Sequence, residues 1–261
     1  MSPTPSGQPS APRAAREAAA QARAEERARR QRERRVRITA IVVVAILVVA
    51  GIVVSVLRSR PDASAATPIG VSKPGGPIVL GPGVSGGGAA SNATGSPGAV
   101  PVLDIWEDFQ CPYCQEFEQA NRTVIGSYLS RDQLTVRYHL VSFLGPESVR
   151  AANAAGCAAG AKRFPAYHAA LYENQPPEGT GGYTIDELLR IGRTVGLTSA
   201  DFTTCVRDQR YDGWVQAVQH AFDTAGMRGT PSVFLDGQLL NADQIRPDAF
   251  AALLRTAVAG K

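Results

Sequence analysis

Of the four cysteines in this 261-residue chain, Cys111 and Cys114 stand three apart in WEDFQCPYCQEF, residues 106–117, while Cys157 and Cys205 stand alone. A close pair can hold a metal, staple a loop or exchange electrons. Zinc needs four ligands, usually grouped in pairs. Here there is no second Cys-x-x-Cys, and no two of His139, His168 and His220 lie at a ligand spacing, so no metal is expected. A structural bond across so short a loop removes little entropy from the unfolded chain. Thiol–disulfide exchange is left. If Cys111 opens a helix and Cys114 lies one turn in, the first sulfur meets the positive end of the helix dipole and unpaired backbone N–H groups. That setting favours the reactive thiolate. Pro112 suits the first turn, where its missing N–H has no partner to lose. Cys114 is then placed to resolve a mixed disulfide formed on Cys111.

The surrounding pattern supplies the elements that must hold this pair. VPVLDIW, residues 100–106, reads as a buried strand. A helix follows, with Phe117, Ala120, Val124 and Leu129 near helical spacing, so Cys-Pro-Tyr-Cys falls at a strand-to-helix junction. LTVRYHLVSF, Leu134 to Phe143, is β-branched and aromatic enough for a second strand. Helical patterns then run from Glu147 to Gly226, among them a segment opened by a Thr184…Glu187 capping box. Strands return in PSVFLDGQLL, residues 231–240, where Asp236-Gly237 is a two-residue hairpin turn. A last helix starts at Pro247 and runs to about Val258. PIVL, residues 77–80, reads as a short strand ahead of them all.

Charge and hydropathy organise the N-terminal part. Ten Arg against four Glu put +6 into residues 1–37, so the remainder of a chain of net charge +4 carries −2. The basicity belongs to a tail, and no nucleic-acid partner is expected. Residues 38–57, ITAIVVVAILVVAGIVVSVL, are uncharged and lie between Arg37 and Arg58, which predicts one transmembrane helix in the lipid bilayer. The Arg excess keeps residues 1–37 in the cytoplasm and sends the rest of a single-pass cell-membrane protein outside. The span is long for a signal peptide, although Ala63-Ser64-Ala65 has the form of a cleavage site, so an uncleaved anchor is expected. Residues 58–75 read as a flexible linker, and the Gly/Pro/Ser-rich character persists to residue 100 around PIVL. The folded domain is expected over residues 76–261.

FQCPYC after a strand, the helical block after the next strand and GTPSVFLDG before the last helix together resemble the DsbA-like branch of the thioredoxin-fold disulfide oxidoreductases. The resemblance covers about residues 76–261 and is to the membrane-anchored forms of Gram-positive and actinobacterial envelopes. It implies an α/β thioredoxin fold with a helical insertion at about residues 145–226. It also implies a cis Thr230-Pro231 bond in a loop beside the redox pair, where its backbone meets the substrate chain. Without the resemblance, Pro231 is a plain turn entering the strand SVFL. The implied enzyme is a protein thiol–disulfide oxidoreductase that oxidises reduced or unfolded exported proteins. Its implied reoxidant is a quinone-linked membrane protein of the DsbB or VKOR type. No flavin or haem motif is present, and no cofactor is expected. The rival readings are an envelope reductase or isomerase and a non-catalytic thioredoxin-fold binding module. Isomerases of this fold usually carry a dimerisation module, for which residues 58–75 are too short, so a monomer is expected.

Two positions depart from the pattern of that family. Where many relatives have a buried acid six residues before the first cysteine, this chain has Ile105. Glu107 shares its strand face and Asp108 adjoins it, so either could accept the Cys114 proton; the plainer reading is two solvated carboxylates at a strand end. Tyr113 stands where the best-known members have His, and a phenol adds no positive charge beside the thiolate. A moderately oxidising potential follows, between about −230 and about −120 mV. Cys157 and Cys205 each fall on an inward helical stripe, which in an oxidising compartment suggests a structural disulfide, with buried free thiols as the alternative. His139, His168 and His220 read as packing or surface residues, and Trp106 and Trp214 as core.

Overall fold

The structure, a computed structural model, describes residues 66–82 and 100–261. The basic tail, the apolar span of residues 38–57 and the first part of the linker lie outside the described residues. Among the described residues no helix is long and apolar enough to cross a membrane.

The run VLDIWE forms β2 (Val102–Glu107), which has a strand on each side to take its backbone groups. β3 (Thr135–Leu140) lies parallel to it, in a register that pairs Ile105 with Tyr138 and Glu107 with Leu140. β4 (Ser232–Leu235) lies antiparallel on the other side, pairing Ile105 with Val233. The edges are β1 (Ile78–Leu80), which is the PIVL segment, and β5 (Gln238–Leu239), giving the order β1-β3-β2-β4-β5. The β4–β5 turn uses Asp236 at φ 49° and Gly237 at φ 82°, both positive as a two-residue hairpin of the mirror-image type requires. Asp236 also ties this hairpin to β2: its N–H donates to Val102 O at 2.8 Å and its carboxylate accepts from Val102 N–H at 2.9 Å.

Parallel β2 and β3 need a crossover, and α1 (Pro112–Leu129) provides it. α1 packs against α7 (Pro247–Ala259) and against a helix of the insertion. On β2, alternation sends Leu103, Ile105 and Glu107 to one face, while Trp106 faces the other. There Trp106 stacks on His139 at 3.8 Å and stays only partly buried, not the core residue expected from its type. Gly126 sits exposed in α1 with open space where a Cβ would go. Because a helical glycine loses more chain entropy than alanine, Gly126→Ala is expected to stabilise the protein by about 0.5–1 kcal/mol, read as a higher urea midpoint at unchanged slope.

Between β3 and β4 the chain builds five helices: α2 (Pro146–Gly160), α3 (Phe164–Glu173), α4 (Ile185–Thr194), α5 (Ala200–Arg207) and α6 (Asp212–Thr224). α2 touches all the other four. Its AANAAGCAAG sequence explains how, since Ala151, Ala152, Ala154, Ala155, Ala158 and Ala159 are buried and let neighbours approach closely. At Gly156 a Cβ would come within 2.9 Å of Pro68 and 3.1 Å of the Tyr211 ring. Cys157 on α2 and Cys205 on α5 are joined by a disulfide. Thr184 caps α4 by accepting from Glu187 N–H at 3.2 Å, but the Glu187 carboxylate pairs with Arg190 at 2.6 Å, so only half of the expected capping box forms. α6 covers β3, and the buried Trp214 indole on it donates to Gly76 O at 2.9 Å. The expected linker is itself packed onto the insertion, through Pro68 against Gly156 and Gly75 against Ala217.

Candidate active site

Cys111 is the N-cap of α1, in extended backbone conformation, with Pro112 as the first helical residue. Its N–H donates to Asp108 O at 3.0 Å, and its carbonyl accepts the first helical bond from Gln115 N–H at 3.2 Å. No side-chain oxygen caps this helix, so the sulfur occupies that place and faces the N–H groups of Tyr113 and Cys114. Both thiols are free; Cys111 is 5% exposed and Cys114 fully buried. A hydrogen bond from the Cys114 thiol is the main reason the Cys111 pKa is brought down to about 6, with Thr230 and the two backbone N–H groups adding to it against the effect of burial. Burial, and then the neighbouring Cys111 sulfur, push the Cys114 thiol well above its ordinary value. The pair is thus one reactive thiolate backed by one proton-holding thiol.

The Thr230-Pro231 bond is cis, and the loop lies beside the sulfurs: the Cys111 thiol is 3.4 Å from Thr230 O. The buried Thr230 hydroxyl has no other hydrogen-bond partner, which leaves it to the sulfur pair. A cleft of about 250 Å³ runs from here between α1 and the start of α7, lined by Tyr113, Phe117, Pro231, Ile245 and Arg246. Tyr113, 68% exposed, stands at its mouth.

Glu107 and Asp108 are both fully buried, which corrects the reading of solvated carboxylates. The strand end is covered by the insertion, whose groups lie dozens of residues away in sequence. Asp108 is committed to structure: it accepts from Gln110 N–H at 2.9 Å, Ser148 Oγ at 2.6 Å and Leu144 N–H at 3.2 Å. Burial raises its pKa to about 6 despite these donors. The insertion also grips the turn through Gln175, whose side-chain amide donates to Phe109 O at 2.7 Å and Cys111 O at 3.1 Å. These contacts follow from no local pattern.

Glu107 instead meets His168 of α3, with Nε2 2.6 Å from Oε1. The other ring nitrogen, Nδ1, lies 3.9 Å from a carboxylate oxygen of Glu118, one turn beyond Cys114 on α1. Burial raises Glu107 and Glu118 each to about 8, and burial pushes His168 down. Ligand atoms of these three residues come within 4.8 Å of one another. Each imidazole nitrogen addresses a different carboxyl, and the two carboxyls also act on each other through a side-chain hydrogen bond. The arrangement is that of groups sharing protons. The spacing from Cys114 to Glu118, i to i+4 on one helix, is the sequence signal for the second acid; His168 carries no comparable signal.

A five-stranded sheet with a Cys-Pro-Tyr-Cys turn, a facing cis-proline loop and an inserted helical layer has clear counterparts among solved structures. The chain is similar to MdbA, a thiol-disulfide oxidoreductase from Actinomyces oris, at 23% identity and a TM-score of 0.58, over 74% of this chain and 98% of that one. It is similar to the reduced form of the disulfide bond oxidoreductase DsbG from Mycobacterium tuberculosis at 22% identity and a TM-score of 0.59, over 73% and 90% of the two chains. Oxidised DsbA from M. tuberculosis matches at 23% identity and a TM-score of 0.57, over 70% and 92%. Among curated relatives, the serine/threonine-protein kinase PknE of M. tuberculosis is 32% identical over 162 residues, 56% of this chain but 28% of the kinase. The Na(+)/H(+) antiporter NhaA 3 of Salinispora tropica is 31% identical over 147 residues, 54% of this chain and 21% of the antiporter. The chain thus spans roughly a quarter of the length of these curated relatives, and their whole-protein activities are not carried over. The family model described as Thioredoxin matches residues 89–255, well over half the chain and all of the redox turn, the insertion and the cis-proline loop, so the chain belongs to the thioredoxin family.

Proposed function

We propose that this protein is an extracytoplasmic thiol–disulfide oxidoreductase that oxidises cysteines of exported proteins through a Cys111–Cys114 disulfide. The observation that carries the reading is the placement of Cys111 at the N-cap of α1 beside the cis Thr230-Pro231 loop with Cys114 buried behind it, an arrangement that lowers the Cys111 pKa and raises that of Cys114. A client thiolate attacks Cys111 Sγ, the Cys111–Cys114 bond breaks, and Cys114 leaves as a thiolate that takes up a proton. A second client thiolate then attacks the client sulfur of the mixed disulfide and releases Cys111. Two electrons pass from client to protein. A stabilised Cys111 thiolate is the better leaving group and favours the reduced protein, which is the direction of an oxidant. Thr230 and Pro231 shape the groove in which the client backbone lies, and Tyr113 keeps the potential below that of a His-containing pair.

The likeness in fold to MdbA, a thiol-disulfide oxidoreductase, supports thiol–disulfide exchange as the activity. The span of residues 38–57 serves as a single-pass membrane anchor, with the Arg-rich residues 1–37 in the cytoplasm. Clients are reduced or unfolded exported proteins, the reoxidant is a quinone-linked membrane protein of the DsbB or VKOR type, and the domain acts as a monomer.

The test is the Cys114→Ser variant in cells. Cys111 then has no resolving partner, and mixed disulfides with exported proteins should accumulate on non-reducing gels. An abundant variant with none trapped would leave the domain as a binding module. A potential below about −270 mV, that of thioredoxin, would make it a reductase.

A further inference from the structure

Resting on that reading for the step it serves, we propose that the proton exchanged with Cys114 travels through Glu107, His168 and Glu118 to a second cleft, separate from the client groove. This cleft, about 420 Å³, lies along the C-terminal half of α1 and is lined by Glu118, Arg122, Gly126, Tyr138 and His168 among others. It shares no lining residue with the groove at Tyr113 and Pro231, and it uses a different stripe of α1.

Geometry supplies the links from Glu107 outward, and the electrostatic influence of Glu107 on both sulfurs supplies the first. Glu107 is fully buried, and its charge acts on both sulfurs. Its Oε1 meets His168 Nε2 at 2.6 Å, and the Tyr172 hydroxyl and the Glu118 carboxyl also act on it through side-chain hydrogen bonds. His168 Nδ1 stands 3.9 Å from Glu118 Oε2, too far for a direct bond but a span that one water bridges. Both Glu118 and His168 reach the cleft wall. The titratable and charged groups around the path come from four elements: Glu107 and Asp108 at the end of β2, Cys111, Cys114, Glu118 and Arg122 on α1, Tyr138 on β3, and His168 and Tyr172 on α3. The two carboxyls hold their protons near neutral pH, so either can give or take one there.

When Cys114 leaves as a thiolate, the Glu107 carboxyl protonates it. The resulting carboxylate takes the Nε2 proton of His168, Nδ1 takes one from Glu118, and Glu118 refills from water in the cleft. One proton enters and no electrons move. In resolution of a mixed disulfide the same path runs outward. A client lying over Tyr113 and Pro231 covers the groove and leaves this exit open.

The experiment follows reduced protein mixed with glutathione disulfide, quenched with acid at intervals so that the Cys111–glutathione mixed disulfide and the resolved product are separated. Cys111 attack is expected at the parent rate in His168→Asn, His168→Ala and Glu118→Gln, while resolution by Cys114 slows by about 10- to 100-fold. Imidazole in the buffer is expected to restore resolution in His168→Ala, whereas thiophene, which fills the same space without a transferable proton, is not. Adding Gly126→Trp, which places an indole over the cleft from an exposed position, should blunt that rescue. Parent-rate resolution in folded His168→Asn and Glu118→Gln overturns the relay, and rescue unaffected by Gly126→Trp overturns the exit. A failure of Cys111 to attack glutathione disulfide at all would instead count against the exchange reading itself.

Discussion

Replacing Cys157 and Cys205 together by alanine is expected to cost about 4 kcal/mol of stability and lower the melting temperature by about 10 °C, with thiol exchange largely intact. The bond closes a span of 48 residues, from the last turn of α2 to α5. Cross-linking that length restricts the unfolded chain by about 4 kcal/mol in the loop-closure treatment. The loss concentrates in α5, a helix of eight residues anchored otherwise by Phe202, Val206 and its Ser199 cap. The sulfurs of Cys111 and Cys114 are free and belong to a different element, so client oxidation should continue below the new melting temperature. Calorimetry and an insulin- or peptide-oxidation assay on the same variant decide it. Lost activity at an unchanged melting temperature would mean that this bond, too, takes part in exchange.

The second large effect concerns pH. Glu107 and Glu118 keep their protons to about pH 8 in the folded protein, whereas in the unfolded chain they lose them near 4.5. Between those values the unfolded state binds fewer protons, so stability falls as pH rises. His168 and His139, held down by burial, act oppositely and only up to about their unfolded value of 6.5. In the oxidised protein, where Cys111 carries no titrating thiol, a net fall is therefore expected from pH 6.5 to 8, at about 1.4 kcal/mol per pH unit for each proton. In the reduced protein, Cys111 at about 6 gains stability over the same window, and the fall should flatten. Glu107→Gln removes the buried acid and should be near neutral at pH 4.5 but stabilising by about 3 to 4 kcal/mol at pH 8. Urea titrations at the two pH values measure this directly. A variant no more stable than the parent at pH 8 would show that Glu107 is ionised without penalty. The same variant should resolve mixed disulfides more slowly, so stability and turnover move in opposite directions at this residue.

Local chemistry made much of this molecule readable in advance. Pro112 and the unpaired N–H groups of a helix start place Cys111 at the N-cap, and Asp236-Gly237 builds the β4–β5 turn with two positive φ angles. Both depend on residues within a few positions of each other. Glu107 reads as solvated from its neighbours because its partner His168 lies 61 residues away, on a helix whose docking no spacing encodes. Asp108 likewise gets two of its three donors from Leu144 and Ser148, 36 and 40 residues on. Trp106 reads as core from its type alone, while its partial burial depends on how His139 and Phe222 meet it from β3 and α6. Glu118 could be placed one turn beyond Cys114, but its burial depends on α3.

The grip of Ser148 and Gln175 on the redox turn limits how this protein can be trimmed or evolve. Excising residues 146–224 to leave a bare sheet with α1 and α7 would strip the Ser148 donor from Asp108 and the Gln175 donors from Phe109 and Cys111, and expose Glu107 to water. The shortened domain would keep its two cysteines and lose the environment that makes them unequal. Insertion and motif therefore work as one unit, and a change in either is felt by the other.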